Sequence, residues 1–196
     1  MNKLFEWWFE AWHHTGKYDG PEEVNSAITT PLNRITKLAA DYQSRKKIFD
    51  AYRDAMRNSR AGLELFAENL QDLCACAAVL SQNVDTVKKH GGWFGSFCIP
   101  QKVIQYSGVI QDYGQALPEI QKGLANKIPK NNFQISEILF EESMQLVHRA
   151  GGYVDAMNAT AAQCRTQFEK NYKDMLELLK KPSPQMSDWY YSGRFY

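Results

Sequence analysis

The sequence carries almost no excess charge and no long apolar run. Its 23 basic residues are offset by 22 acidic ones, which leaves a formal net charge of +1. Such a balance gives no overall attraction to nucleic acid, which is not expected as a partner. No apolar run approaches the ~20 residues of a membrane-spanning helix. Glu6 and Glu10 interrupt the N-terminal apolar stretch, so it does not resemble a signal peptide. We therefore expect a cytoplasmic protein, with export by a signal-peptide-independent route left open.

Motifs for catalysis, cofactor binding and metal binding are also missing. The sequence has no glycine-rich phosphate loop, no Gly-x-Ser-x-Gly and no His-Glu-x-x-His. Its four cysteines, Cys74, Cys76, Cys98 and Cys164, match no structural zinc spacing. We expect free thiols in a reducing compartment. We assign no catalytic residue, no cofactor and no metal, and we expect a protein that is not an enzyme.

A heptad repeat between residues 35 and 87 is the strongest pattern in the sequence. Sixteen consecutive a and d positions alternate three and four residues apart, and only Arg45 and Ser59 among them are polar. The positions are Ile35, Leu38, Tyr42, Arg45, Phe49, Tyr52, Met56, Ser59, Leu63, Phe66, Leu70, Leu73, Ala77, Leu80, Val84 and Val87. The repeat predicts an all-α fold, an elongated antiparallel helical bundle or coiled-coil hairpin built on one helix of about 60 residues, 31–89.

Proline, glycine and basic residues mark the other predicted boundaries. Pro21 suits the first position of a short helix over 21–29, and Lys88-Lys89-His90 before Gly91-Gly92 suits the end of the long helix. Seams of the same kind predict helices over about 100–127 and 133–181. The sequence leaves open whether the last helix reverses the chain or continues the second arm.

Three segments follow from these boundaries. Residues 1–20 form an aromatic amphipathic N-terminal helix and turn, residues 21–181 a helical bundle, and residues 182–196 an aromatic C-terminal tail. We expect the turn that contains Trp93 at one end of the bundle and both aromatic termini toward the other region.

The N-terminal segment places its aromatic residues on one helical face. Phe5, Trp8, Phe9 and Trp12 follow the spacing i, i+3, i+4, i+7. This face could pack across the end of the bundle, dock into a groove of a partner, or lie in a membrane interface as a wedge. The polar residues around it are more acidic than basic, which disfavours a membrane surface but leaves it possible.

The C-terminal tail is the second aromatic segment. Trp189, Tyr190, Tyr191, Phe195 and Tyr196 lie within its last eight residues. Disordered tails are usually poor in aromatic residues, so this one is expected either to pack on the bundle or to bind a partner.

A basic stretch, Arg45, Lys46, Lys47, Arg53, Arg57 and Arg60, lies in the predicted long helix. Asp50 and Asp54 are spaced to form ion pairs within the same helix, so the stretch is expected to be a solvated face. No aromatic residues alternate with it in the way that single-stranded nucleic acid binding requires.

Trp93-Phe94-Gly95 resembles the Trp-x-Gly turn of WXG-type helical hairpins, which type VII (ESX) systems export. The resemblance covers these three residues and a helix–turn–helix topology. The Tyr-x-x-x-acid export signal of that family is not matched, since Leu176 follows Tyr172 at that spacing and Met157 follows Tyr153. The resemblance implies an exported helical-hairpin effector as an alternative function.

Together these patterns predict a non-enzymatic interaction or assembly protein, such as a structural subunit, an adaptor or a part of a secretion apparatus. A helical rod would present aromatic ends to a protein partner or to further copies of itself. A peripheral membrane-binding protein with residues 2–14 as the wedge is the first alternative. The predicted partner-binding residues are Phe5, Trp8, Phe9, Trp12, Trp93, Trp189, Tyr190, Tyr191, Phe195 and Tyr196.

Overall fold

The part of the chain that the structure describes is almost entirely helical. A computed structural model describes residues 21–57, 59–90, 92–128 and 135–180, without the side chains of residues 92–94 and 179. The helices are α1 (Pro21–Ala51), α2 (Arg53–Met56), α3 (Arg60–His90), α4 (Gly92–Cys98), α5 (Gln101–Lys127) and α6 (Glu137–Lys180). No strand occurs in these residues, so the predicted all-α class is confirmed.

The four long helices pack in a ring, in the order α1, α3, α5, α6 and back to α1. The rings of Tyr42 and Phe66 meet between α1 and α3, with their centroids 5.0 Å apart. Those of Tyr113 and Tyr153 meet between α5 and α6, at 6.3 Å. The ring of helices closes where the Tyr42 hydroxyl donates to the Val147 carbonyl of α6, at 2.9 Å.

Neighbouring helices in the ring are antiparallel. Asn83 of α3 contacts Ala27 early in α1, whereas Asn69 contacts Leu38 further along α1. Lys127 pairs with Glu142 near the end of α5, and Tyr113 meets Tyr153 nearer its middle. The chain therefore runs up α1, down α3, up α5 and down α6. Of the two alternatives that the sequence leaves open, α6 reverses the chain.

Residues 31–89 do not form the single helix that the heptad repeat predicts. The helical dihedral angles end at Tyr52, which has φ −122° and ψ 41°, and α3 begins at Arg60. The reversal lets the apolar stripes of α1 and α3 cover each other within one chain, which one straight helix could not do. The heptad phase nevertheless identifies the core, because twelve of its sixteen positions are buried. The other four are Arg45, Tyr52, Met56 and Ser59.

The interior is almost wholly apolar. Among the described residues, the buried polar side chains are Asn69, Ser107 and Ser143. Each of the three donates a hydrogen bond to a backbone carbonyl, which offsets most of the cost of burying it.

Pro31 lies inside α1, and the helix continues through it. Proline has no amide hydrogen, so it cannot donate to the carbonyl of Ala27, four residues earlier. The Asn83 side chain of α3 donates to that carbonyl instead, at 2.7 Å. A contact with the neighbouring helix thus replaces the backbone hydrogen bond that proline removes.

Candidate functional site

The described chain begins and ends at the same end of the bundle. Tyr172, near the end of α6, lies close to Glu22 in the first turn of α1 and to Cys98 of α4. Burial is the main cause of the raised pKa of Tyr172, and electrostatic interactions with Cys98 and Glu22 raise it further. We call this end the aromatic end: it consists of the first turn of α1, α4 and the last turns of α6. The opposite end, where α1 connects to α3 and α5 to α6, is the loop end.

α4 is fixed at the aromatic end by backbone contacts. Asn171 of α6 donates from Nδ2 to the Phe97 carbonyl at 3.2 Å. A Cβ atom on Gly95 would lie 2.1 Å from the Val87 carbonyl oxygen, so α4 approaches α3 more closely than any other residue type would allow. The position of the backbone around Trp93 is therefore determined by α3 and α6.

Aromatic rings line the α6 side of this end. The rings of Phe168 and Tyr172 are stacked, with their centroids 5.9 Å apart. Phe168 is buried, while Tyr172 and Phe97 are half-buried and pack on the core. Sequence analysis did not select Phe97, Asn171 or Tyr172. The only sequence signal for this aromatic pair is the four-residue spacing of Phe168 and Tyr172, which places them on the same face of a helix.

Nine of the ten predicted partner-binding residues lie outside the described residues: Phe5, Trp8, Phe9, Trp12, Trp189, Tyr190, Tyr191, Phe195 and Tyr196. Trp93 lies in α4, but its side chain is not described. The segment over 1–20 joins the bundle at Pro21, and the segment over 181–196 leaves it after Lys180. Both junctions are at the aromatic end, beside α4.

The sequence predicts Trp93 at one end of the bundle and both aromatic termini toward the other. This prediction is wrong for the points where the termini join the bundle, because both junctions lie at the same end as Trp93. The prediction assumed one straight helix over 31–89, which would carry residue 90 far from residue 21. The reversal over residues 52–59 instead returns α3 to the level at which α1 starts. The three segments that contain all five tryptophans of the chain therefore meet or join the bundle at one end.

The basic stretch of the sequence lies mostly at the loop end, and most of it is paired with acids. Arg53 donates from Nε to Glu141 Oε1 at 2.7 Å, with a second contact between the same side chains. Arg57 lies 3.7 Å from Glu137. Lys46 pairs with Asp50, and Arg60 with Glu64. Four of the six basic side chains are therefore neutralised by a neighbouring carboxylate.

Other parts of the described chain offer little for a ligand. A surface depression of 340 Å³ between α5 and α6 is lined by uncharged side chains, among them Tyr106, Gln163 and Thr166. No three His, Cys, Asp or Glu residues in the described ranges are grouped to hold a metal ion. None of the described helices combines the length and apolar character that crossing a bilayer requires.

All four cysteines are free, and two of them are buried. Burial raises the pKa of Cys98 and of Cys164 to about 12 each. It also raises the pKa of the half-buried Cys74 and Cys76. Since the thiolate is the reactive form, thiols with such raised pKa values are poor nucleophiles at neutral pH.

We therefore expect Cys98 and Cys164 to resist alkylation by a maleimide in the folded protein at neutral pH. Cys74 and Cys76 should react first, because they are partly accessible. Mass spectrometry of digested protein after timed labelling measures each site, and labelling in denaturant provides the fully reactive control. Fast labelling of Cys164 in the folded chain would contradict its placement in the core.

No protein family, curated protein or solved structure matches this chain.

Proposed function

We propose that the protein is a non-enzymatic interaction or assembly component that binds through its aromatic end. The observation that carries the proposal is the convergence of three tryptophan-containing segments. Two of them join the bundle beside α4, and α4 contains the third. Tryptophan and tyrosine are the residues most enriched among those that dominate protein–protein binding energy. A partner that contacts this end could engage several of them at once.

The features of the rest of the bundle are those of a rigid scaffold. α6 has 44 residues and is about 66 Å long, which favours the elongated shape expected from the sequence. The buried side chains of Asn69, Ser107 and Ser143 each donate a hydrogen bond to a backbone carbonyl, and the ion pairs of the described residues lie on the surface. These features support a protein that holds a binding end in place.

The partner that we propose is a protein surface or another copy of this chain. Nucleic acid is disfavoured because most of the basic stretch is paired with carboxylates. The four free thiols fit a reducing compartment and support a cytoplasmic location. A WXG-like effector is a weaker alternative, since the described residues form four long helices and Trp93 lies within a helical segment.

The test compares the full chain with a variant that lacks residues 1–18, using light scattering for mass and urea unfolding for stability. We expect the full chain to self-associate through the aromatic end, and we expect the truncated chain to lose that association with little change in stability. Trp8→Glu should behave like the truncation, because the sequence spacing predicts Trp8 on the aromatic face. Trp7→Glu is the matched control, since the same spacing predicts Trp7 on the other side of that helix.

A monomeric full chain that loses several kcal/mol on truncation would contradict the proposal. In that outcome the N-terminal segment packs on its own bundle and is part of the core. Sedimentation with anionic vesicles that is lost in Trp8→Glu but kept in Trp7→Glu would favour the peripheral membrane alternative, with residues 2–14 as the wedge.

A further inference from the structure

The heptad phase continues across the reversal between α1 and α3. Phe49, the last buried seam residue of α1, and Leu63, the first of α3, are fourteen residues apart, which is two heptads. A loop that only reverses the chain imposes no phase relation between the stripes on either side of it. A continuous heptad phase from α1 to α3 is needed only if the two helices also form one straight helix with a single apolar side.

The connecting segment has the composition of a helix. Residues 51–61 (AYRDAMRNSRA) contain no glycine and no proline. One turn in it is already helical, since α2 covers Arg53–Met56 and the Met56 amide donates to the Tyr52 carbonyl at 3.0 Å. The departure from helical geometry at its start is confined to Tyr52. A small number of backbone rotations would therefore straighten the segment.

The seam positions in this segment are less well covered than the apolar seam positions on either side of it. Tyr52 is 64% exposed, and Met56 is only half-buried. Both occupy a or d positions, which in a coiled coil face another helix. Their exposure is unusual in a seam whose other apolar members are buried.

The contacts between α1 and α3 are symmetric about the middle of this segment. The ring pair Tyr42–Phe66 is centred on chain position 54, and the ion pair Arg34–Asp72 on position 53. Two straightened chains placed antiparallel about that centre would therefore remake the same contacts between copies. The same symmetry would bring Tyr52 of one copy opposite Met56 of the other, and would cover both.

We propose that the α1–α3 hairpin opens into one helix over 21–90 and that two copies of the chain exchange α1. Each α1 then completes the bundle of the other copy, as in domain swapping. The inner contacts are kept, and the ion pairs given up at the loop end are exposed ones that contribute little. The opened helix over 21–90 in each copy is about 105 Å long.

The exchange does not depend on what the aromatic end binds, but it has a consequence for binding. The two bundles meet at their loop ends, so the two aromatic ends lie at opposite ends of the dimer. A swapped dimer would therefore bridge two partners that a monomer could bind only separately.

Deleting residues 52–58 tests the exchange. The deletion removes one heptad, so the phase is kept, but it leaves one residue between α1 and α3, too few for the usual two to five that reverse a helical hairpin. We expect a folded dimer with twice the mass of the shortened chain. A folded monomer of the deletion variant would overturn the proposal.

A second experiment leaves the connection at full length. The wild-type chain is refolded over a range of concentrations, and its dimer fraction is measured by light scattering. Arg53 is the first residue of α2, where the hairpin already departs from helical geometry at Tyr52, whereas in a straight helix proline at this position would remove a backbone hydrogen bond at a cost of about 3 kcal/mol. Arg53→Pro should therefore lower the dimerisation constant by about two orders of magnitude. Arg53→Ala loses the same ion pair and should dimerise like the wild type.

A wild-type chain that refolds only as a monomer at the highest attainable concentration would overturn the exchange, as would a dimer that Arg53→Pro leaves intact. A dimer that persists in Arg53→Pro but disappears without residues 1–18 would show association through the aromatic end alone.

Discussion

Replacing Phe66 by alanine is expected to lower the free energy of unfolding by about 3–5 kcal/mol. Phe66 is fully buried in the α1–α3 interface. Its ring meets Tyr42 at 5.0 Å and Phe49 at 5.2 Å, both edge to face. The substitution removes both aromatic contacts and leaves a cavity that helices on either side cannot readily fill. Urea unfolding monitored by circular dichroism measures the loss.

The neighbouring residue provides a matched control. Leu65 is 42% exposed, so Leu65→Ala should change stability far less than Phe66→Ala does. A loss at Leu65 equal to that at Phe66 would contradict the assignment of inner and outer faces to α3.

Gly62→Ala and Gly152→Ala are expected to change stability in opposite directions. A Cβ atom on Gly62 would lie 2.4 Å from Phe49 Cζ, and the Phe49 ring cannot move aside because it is buried against Phe66. We expect a loss of about 1–3 kcal/mol. Gly152 has open space at its Cβ position, so alanine there should stabilise α6 by about 0.5–1 kcal/mol.

The sign at Gly62 distinguishes the observed hairpin from an isolated straight helix. In a helix with no neighbour at this position, alanine would be favoured over glycine by about 1 kcal/mol. Thermal unfolding of the two variants beside the wild type gives both signs in one experiment. A higher midpoint for Gly62→Ala would mean that Phe49 does not pack against this residue.

The sequence predicts the core far better than it predicts the path of the chain. Seam residues such as Leu70 and Val84 are buried as expected, because a heptad stripe identifies the face that must leave water. The stripe does not say whether its cover is supplied by another chain or by a reversal of its own. The segment around Tyr52 and Met56 contains no strong breaker, so local propensity could not reveal the reversal. Ser59 and Gly62 are its only marks.

For the candidate site, too, the sequence predicts the residues but not their arrangement in space. Residue type alone selects Trp8, Trp93 and Trp189 as binding residues. Their relation to one another depends on which ends of the helices coincide, and that follows from the reversal at residues 52–59. The hydrogen bond from Asn171 to α4 joins residues 74 positions apart, a separation that no local pattern encodes.

The hydrogen bond from Asn83 to the Ala27 carbonyl also bears on how α1 and α3 choose their alignment. Heptad stripes repeat, so sliding one helix past the other by seven residues would still place apolar side chains against apolar side chains. The carbonyl left free by Pro31 occurs once in α1, and only one alignment brings Asn83 to it. Any other alignment would lose this hydrogen bond to a half-buried carbonyl. Pro31 therefore helps to specify the register of α1 against α3, because the native alignment alone keeps this hydrogen bond. The same holds whether α1 packs on its own chain or on another copy.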